Sequence, residues 1–355
     1  MREKTIVTVT GIRPDFIRMS EVFKRLDEAE WCRHILIHTG QHYDRLLSGI
    51  FFDDLKIRNP DFNLSIGAKG KKHYEQQAEL GVKIINLFKI ENIKPDIILF
   101  LGDSNSVLAS VPLRKEGYKI GHIEAGMRSY DERMLEEINR KVCDHVSNFL
   151  FVYHDNYRQK AMREGITEDK IFVVGNTIVE PLTKIADLSY RGSKSHILLD
   201  IHRPENFNYK DRIKKIINFA NFCTESTGVV VKMLKFCRTM EAIENYGLDL
   251  GKIEIIDLMG YKDFIKFMQD SLFIISDSGT AQEEPALLQI PVLVPREFTE
   301  RSESYLEGCS YELKLQKKLY DDALKWALNP FSGSIGWLGG AKASYKIARA
   351  LRELV

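Results

Sequence analysis

At 355 residues the chain exceeds what one core ordinarily organises, so two domains are expected. Its 44% hydrophobic and 28% charged content suits a soluble globular protein, and 51 Lys+Arg against 50 Asp+Glu leave a formal charge of +1, which excludes a global field for nucleic acid or anionic lipid. Five scattered cysteines (Cys32, Cys143, Cys223, Cys237, Cys309) without a C-x-x-C pair read as reduced packing residues, and no run approaches the ~18 apolar residues of a membrane span.

The start, M-R-E-K-T-I-V-T-V-T, lacks an apolar signal core, so a cytoplasmic protein is expected. Short β-branched runs predict strands over Thr5–Thr10, His34–His38, Ile97–Leu101, Lys119–Ile123, Leu150–Tyr153, Ile171–Val174, Ile197–Ile201, Val229–Val231, Ile253–Ile256, Phe273–Ile275 and Val292–Val294. Between them the pattern predicts helices over Asp15–Glu28, His73–Ile90, Leu135–Asn148, Tyr209–Thr224, Tyr261–Gln269, Leu313–Ala327 and Ala341–Leu354. Continuous apolar strands alternating with helices predict α/β architecture: two Rossmann-like, doubly wound parallel domains facing a central cleft. The polar stretch D-L-S-Y-R-G-S-K-S (187–195) places the hinge. The expected domains are 1–186 and 187–340, with a last segment, 341–355, packing back on the first.

Polar residues gather at one kind of place. Arg13, Asp103, Glu124, His202 and Ser278 each follow an apolar strand closely, and doubly wound sheets bind ligands beyond the carboxyl ends of their strands. In T-G-I-R-P-D (10–15), Gly11 permits a tight turn and Arg13 could reach a phosphate or carboxylate, or simply be solvated. No G-x-G-x-x-G follows a strand, which argues against a dinucleotide cofactor. Asp103 is either a helix cap or a functional acid. Glu124, in H-I-E-A-G, has no comparable capping logic, and Gly126 permits close approach.

Glu136, Glu137 and Arg140 open a helix, where acids are favoured by the dipole and Glu136 with Arg140 makes an i, i+4 pair. The functional alternative turns one of these acids toward a substrate as acid or base. His202 and Arg203 leave a strand end just before a helix. The remaining histidines show no metal-ligand spacing, so no metal is expected. In S-D-S-G-T-A-Q-E-E (276–284), Ser278, Gly279 and Thr280 suit a pyrophosphate at a helix start, with Ser278 as N-cap in the structural alternative, and Glu284 one turn on suits a ribose. Arg301 adds a possible phosphate or carboxylate partner.

Assembled in order, G-I-R-P-D (11–15), H-T-G-Q-H-Y (38–43), L-G-D-S-N-S (101–106), H-I-E-A-G-M-R-S-Y-D (122–131), E-E-I-N-R (136–140), V-G-N-T-I-V (174–179), H-R-P-E-N-F (202–207), S-D-S-G-T-A-Q-E-E and T-E-R-S-E (299–303) resemble the non-hydrolysing UDP-N-acetylglucosamine 2-epimerase family across nearly the full length. The resemblance implies a fold like that of the GT-B glycosyltransferases and inversion of the sugar C2 through elimination of UDP to a 2-acetamidoglucal and re-addition. It implies no cofactor, a UDP-sugar as partner, and a homodimer. Carried over by position, Asp103, Glu124, Glu136 and His202 match acid/base and substrate-contact positions. Arg13, Ser278, Gly279, Thr280, Glu284 and Arg301 match the UDP site, with Phe264 against the uracil.

Departures from the family pattern fall at Ile12, Asp15, Leu135 and Ser302, at Gly279-Thr280 for a Gly-Gly, and at Phe236, Cys237 and Arg238, which replace a His-Pro-Arg. The stretch R-S-Y-D-E-R (128–133) is also similar to relatives acting on modified sugars. Two alternatives therefore stand beside the leading reading: a 2-epimerase of a modified UDP-sugar (a 2,3-diacetamido uronic acid or a 6-deoxy N-acetylhexosamine), and a UDP-sugar-binding GT-B protein without epimerase activity.

Overall fold

In the computed structural model, which describes residues 3–40, 54–67 and 73–355, the chain forms two units. The first is Met1–Lys184 with Leu338–Val355, and the second is Ile185–Trp337. Each holds one parallel sheet with helices between successive strands, so the doubly wound α/β expectation holds for both.

The first unit's strands are β1 (Lys4–Thr10), β2 (Cys32–His38), β3 (Phe62–Asn63), β4 (Ile97–Leu101), β5 (Ile120–Ile123), β6 (Phe149–Val152) and β7 (Ile171–Val173). They lie in the order β3-β2-β1-β4-β5-β6-β7. Every pairing is parallel. All five residues of β4 are buried, which is why its run I-I-L-F-L shows no alternation: a central parallel strand is covered on both faces.

The second unit holds β8 (His196–Asp200), β9 (Val231–Leu234), β10 (Glu254–Ile256), β11 (Ser271–Ser276), β12 (Val292–Val294) and β13 (Ser310–Glu312), in the order β10-β9-β8-β11-β12-β13. Its core gathers Ile197, Leu199, Phe219, Met233, Phe273 and Ile275, each worth roughly 1.5–3 kcal/mol when fully buried. Strand order reverses between β1 and β4 in one sheet and between β8 and β11 in the other. At such switch points the loops leaving adjacent strands diverge and open a ligand crevice. Residues 11–15 and 102–105 leave the first pair; residues 201–203 and 277–280 leave the second.

Three local expectations change. Strands β3 and β13 are too short to stand out as apolar runs. The predicted helix Leu313–Ala327 begins only at Tyr320, after a 3-10 turn over Lys317–Leu319. Tyr311, Leu313 and Leu315 alternate with exposed neighbours at period two, and Leu313 N–H still bonds Val294 O at 2.9 Å. Helices Asp155–Arg163 and Cys237–Asn245 were not foreseen, being short and polar.

The polar stretch 187–195 is held on the second unit. Ser193 N–H donates to Asp270 Oδ1 at 2.9 Å, and Gln269 Nε2 to Asp187 O at 2.8 Å. Gly192, at φ +67°, lies so close to Gln269 that a Cβ would stand 1.8 Å from its carbonyl oxygen, so only glycine fits. At the other end, Leu338 O accepts from Asn176 N at 2.9 Å and Ser344 N donates to Glu180 Oε1 at 3.1 Å. The final helix, Ala343–Leu354, then buries Ile347 and Leu351 and packs against the helix Arg13–Asp27.

Candidate active site

In the first unit, Pro14 stands in the opening turn of the helix Arg13–Asp27, where its missing N–H costs nothing. Asp15 turns back over that turn and accepts from Gly11 N at 2.9 Å and Ile12 N at 3.1 Å. Burial nonetheless pushes its carboxyl up to about 7, and the neighbouring Asp103 adds to the rise. The side chain of Arg13 lies outside the described residues, as do residues 41–43 of H-T-G-Q-H-Y.

Beyond β4, Gly102 takes φ +69° and turns the chain so that Asp103 meets Arg140 of the helix Leu135–Val146 in an ion pair. The Asp103 side chain keeps 23% exposure, while Arg140 is buried. Asn139 Nδ2 fixes the turn by donating to Asp103 O at 2.8 Å.

Glu124 follows β5 with φ +69°, a conformation that side-chain-bearing residues reach at a cost of roughly 1–2 kcal/mol. Such strain is a pointer to function when the surroundings enforce it. They do here: the carboxylate is 3% exposed, ion-paired with Arg18, and accepts from Tyr153 Oη at 3.2 Å. The hydroxyl groups of Tyr153 and Thr177 stand 2.6 Å apart, which extends the chain of hydrogen bonds.

The turn carrying Glu124 rests on a second buried network. His122 Nε2 faces Gly102 O at 2.7 Å and Nδ1 faces Asp144 Oδ1 at 2.6 Å. Both partners only accept, so both ring nitrogens donate and the ring is an imidazolium. Burial works against that charge, but the neighbouring Cys143 and Asp144 outweigh it and hold the pKa well above its ordinary value. Asp144 also accepts from Gly126 N at 3.0 Å and pairs with Arg128 at 2.7 Å. His122 thus ties the turn before Asp103 to the turn after Glu124.

Glu136 sits half-exposed on the first helical turn. Glu137 is the buried acid, accepting from Ser129 N at 2.8 Å, Ser129 Oγ at 2.9 Å and Tyr130 N at 3.2 Å. The pairs seen for Arg140 are with Asp103 and, at i, i+3, with Glu137 at 3.2 Å, in place of the expected i, i+4 pair with Glu136.

In the second unit, His202 lies just past β8 with Nδ1 at 3.0 Å from Asp200 Oδ1 and 3.6 Å from Asp277 Oδ1. Asp277 is fully buried and staples the loop from the adjacent strand, accepting from His202 N, Arg203 N and Asn206 Nδ2 at 2.9–3.1 Å. Burial opposes a charge on His202, but Asp200 and then Asp277 raise its pKa above the ordinary value.

Ser278 N–H bonds Ser276 Oγ, and Ser278 Oγ lies 3.0 Å from Thr280 Oγ1. The N-cap of the following 3-10 turn, Thr280–Gln282, is Gly279 and not Ser278. A Cβ on Gly279 would stand 2.6 Å from an Arg301 nitrogen, so the missing side chain is what admits the guanidinium. Arg301 is buried between Glu283, at 2.9 Å, and Glu300. Glu284 accepts from Tyr261 Oη at 2.7 Å, and Phe264 lies half-buried one turn along the helix Tyr261–Gln269. The sequence reading missed Arg18, Asp144, Asp200 and Asp277, and between Glu136 and Glu137 it assigned the role to Glu136. For Arg18 a signal existed: a charged residue within the apolar run F-I-R-M.

A family model described as UDP-N-acetylglucosamine 2-epimerase matches residues 24–352. The UDP-N-acetylglucosamine 2-epimerase of Methanocaldococcus jannaschii is 32% identical over 361 residues, covering 97% of each chain. The UDP-2,3-diacetamido-2,3-dideoxy-D-glucuronate 2-epimerase of Pseudomonas aeruginosa is 33% identical over 98% of this chain and 99% of its own. The crystal structure of the Methanocaldococcus jannaschii enzyme in complex with UDP-GlcNAc and UDP matches with a TM-score of 0.90 at 30% identity, covering 98% of this chain and 99% of that one.

Proposed function

Because the chain belongs to the UDP-N-acetylglucosamine 2-epimerase family, we propose that it inverts C2 of a UDP-linked N-acetylhexosamine, converting UDP-GlcNAc to UDP-ManNAc. The observation that carries this reading is the family match over residues 24–352. Carboxylates at the strand ends of the first unit support it, since the reaction calls for acid/base groups.

A carboxylate takes the C2 proton, the C–H electron pair forms the C1=C2 bond, and the C1–O bond breaks with its pair leaving on UDP. The phosphate oxygen then re-adds to C1 while a carboxylic acid protonates C2 on the opposite face. Asp103, Glu124 and Glu136 are assigned to this proton traffic. Asp103 and Glu136 keep exposed surface, whereas Arg18 and Tyr153 hold Glu124 rigidly. His202 faces the diphosphate, which Arg13, Ser278, Gly279, Thr280 and Arg301 retain, with Glu284 on the ribose and Phe264 on the uracil. A homodimer is assigned by the same resemblance, and a cytoplasmic location is proposed beside it. Among the described residues no helix is long and apolar enough to cross a membrane.

A second reading, inversion of a UDP-2,3-diacetamido uronic acid, is favoured by the 33% identity to the Pseudomonas aeruginosa enzyme. Incubation in D₂O with each sugar, followed by NMR of the C2 proton, tests both. Exchange with UDP-ManNAc appearing supports the first reading. Exchange only with the diacetamido uronate selects the second, and exchange with neither removes both of these readings.

A further inference from the structure

We propose that Asp200 is the positioning residue of His202: it engages Nδ1 and leaves Nε2–H as an outward donor to an anionic oxygen of the departing diphosphate. This deepens the reading of His202 given above and rests on it. Asp200 ends β8, is 6% exposed, and is fixed by two contacts from the neighbouring strand end. Its Oδ2 accepts from Ser276 Oγ at 2.8 Å, and its carbonyl accepts from Asp277 N at 3.1 Å. The remaining oxygen, Oδ1, meets His202 Nδ1 at 3.0 Å.

That contact decides the proton on the ring. A carboxylate only accepts, so Nδ1 carries hydrogen in either charge state. Nε2 is then the nitrogen that gains or loses the titrating proton. Among the described residues Nε2 has no hydrogen-bond partner, and the side chain is 35% exposed. The Phe236 ring, tilted 41° at 4.9 Å between centroids, closes one side of the imidazole and limits its rotation.

The charged groups around the ring are Asp200, Asp277 and Arg203. Two carboxylates against one guanidinium favour the imidazolium, and Asp277 is already engaged by three donors of the loop. Asp200 is therefore the acid whose charge the ring feels most directly. A cation with a pointed N–H stabilises a phosphate oxygen as the C1–O bond breaks, and no proton need be transferred.

The test is Asp200→Asn, which keeps an accepting oxygen for Nδ1–H but removes the charge. His202 is followed by NMR titration in protein without substrate, its signal assigned by its loss in His202→Gln. The expected result is a fall of the His202 pKa by about one unit or more. The pH at which UDP binding weakens should fall by the same amount, and kcat should fall more than KM changes. Asp200→Glu is expected to restore the raised pKa in part. An unmoved His202 pKa in Asp200→Asn overturns the proposal. If that variant does not fold, Ser276→Ala, which frees Oδ2 of Asp200, must shift the same titration, and no shift there also overturns it. The NMR readout needs no turnover, so a protein that proves not to be an epimerase still tests the dyad.

Discussion

Asp15 carries its proton where an ordinary aspartate has lost it, and stability should record this. Below pH 3.8 the carboxyl is protonated folded and unfolded alike. Between 3.8 and about 7 only the unfolded chain releases the proton, so stability falls as pH rises through that window. The rise of about 3 units corresponds to roughly 4 kcal/mol at full extent. Asp15→Asn keeps the acceptor for Gly11 and Ile12 and removes the titration. Its stability relative to the parent, from urea unfolding, should climb between pH 4 and pH 7; a pH-independent difference would refute the assignment. At Asp103 the expectation concerns rate. Asp103→Asn should cut kcat by about 10²–10⁴-fold with UDP affinity retained, since Arg140 keeps Glu137 as partner. Near-normal turnover, measured alongside circular dichroism to verify folding, would remove Asp103 from the proton traffic.

At the scale of elements, the turn after β5 depends on two things at once: the left-handed backbone of Gly126 (φ +76°) and the proximity of the helix Asp155–Arg163. A Cβ at Gly126 would stand 2.5 Å from Tyr157 O, a backbone atom that cannot rotate away. Gly126→Ala should therefore cost at least about 2 kcal/mol in the denaturant midpoint and slow turnover, because Glu124 rides on the same turn. An unchanged midpoint would show that the turn relaxes freely. The strand ends were legible from local pattern: apolar runs stop where Asp103, Glu124, His202 and Ser278 begin. The partners were not. Arg140 reaches Asp103 across 37 positions and Asp277 reaches Arg203 across 74, and neither distance leaves a trace in spacing. Choosing between Glu136 and Glu137 as the buried acid required the rotation of one helix, which the pair of identical residues conceals. The helix expected from Leu313 misled for the opposite reason, since Y-E-L-K-L carries a strand's alternation inside a segment long enough for a helix.

For the whole molecule, the first unit is assembled from both ends of the chain, Met1–Lys184 and Leu338–Val355. Removing Leu338–Val355 strips the fully buried Leu338, Ile347 and Leu351, each worth roughly 1.5–3 kcal/mol. Against a total margin of about 5–15 kcal/mol, that loss should unfold the first unit while leaving the second intact. Limited proteolysis of the truncated protein is expected to leave a resistant fragment close to Ile185–Trp337; equal resistance of the N-terminal half would contradict the dependence.

The same discontinuity sets a schedule on the ribosome. The N-terminal stretch emerges first but lacks its closing helix until about 170 further residues have been made, which takes roughly 10–35 s at about 5–20 residues per second. Through that interval the apolar side of the helix Arg13–Asp27 awaits its cover. The nascent chain thus completes its second unit before its first, and it is a candidate client for chaperones that shield hydrophobic surface during synthesis.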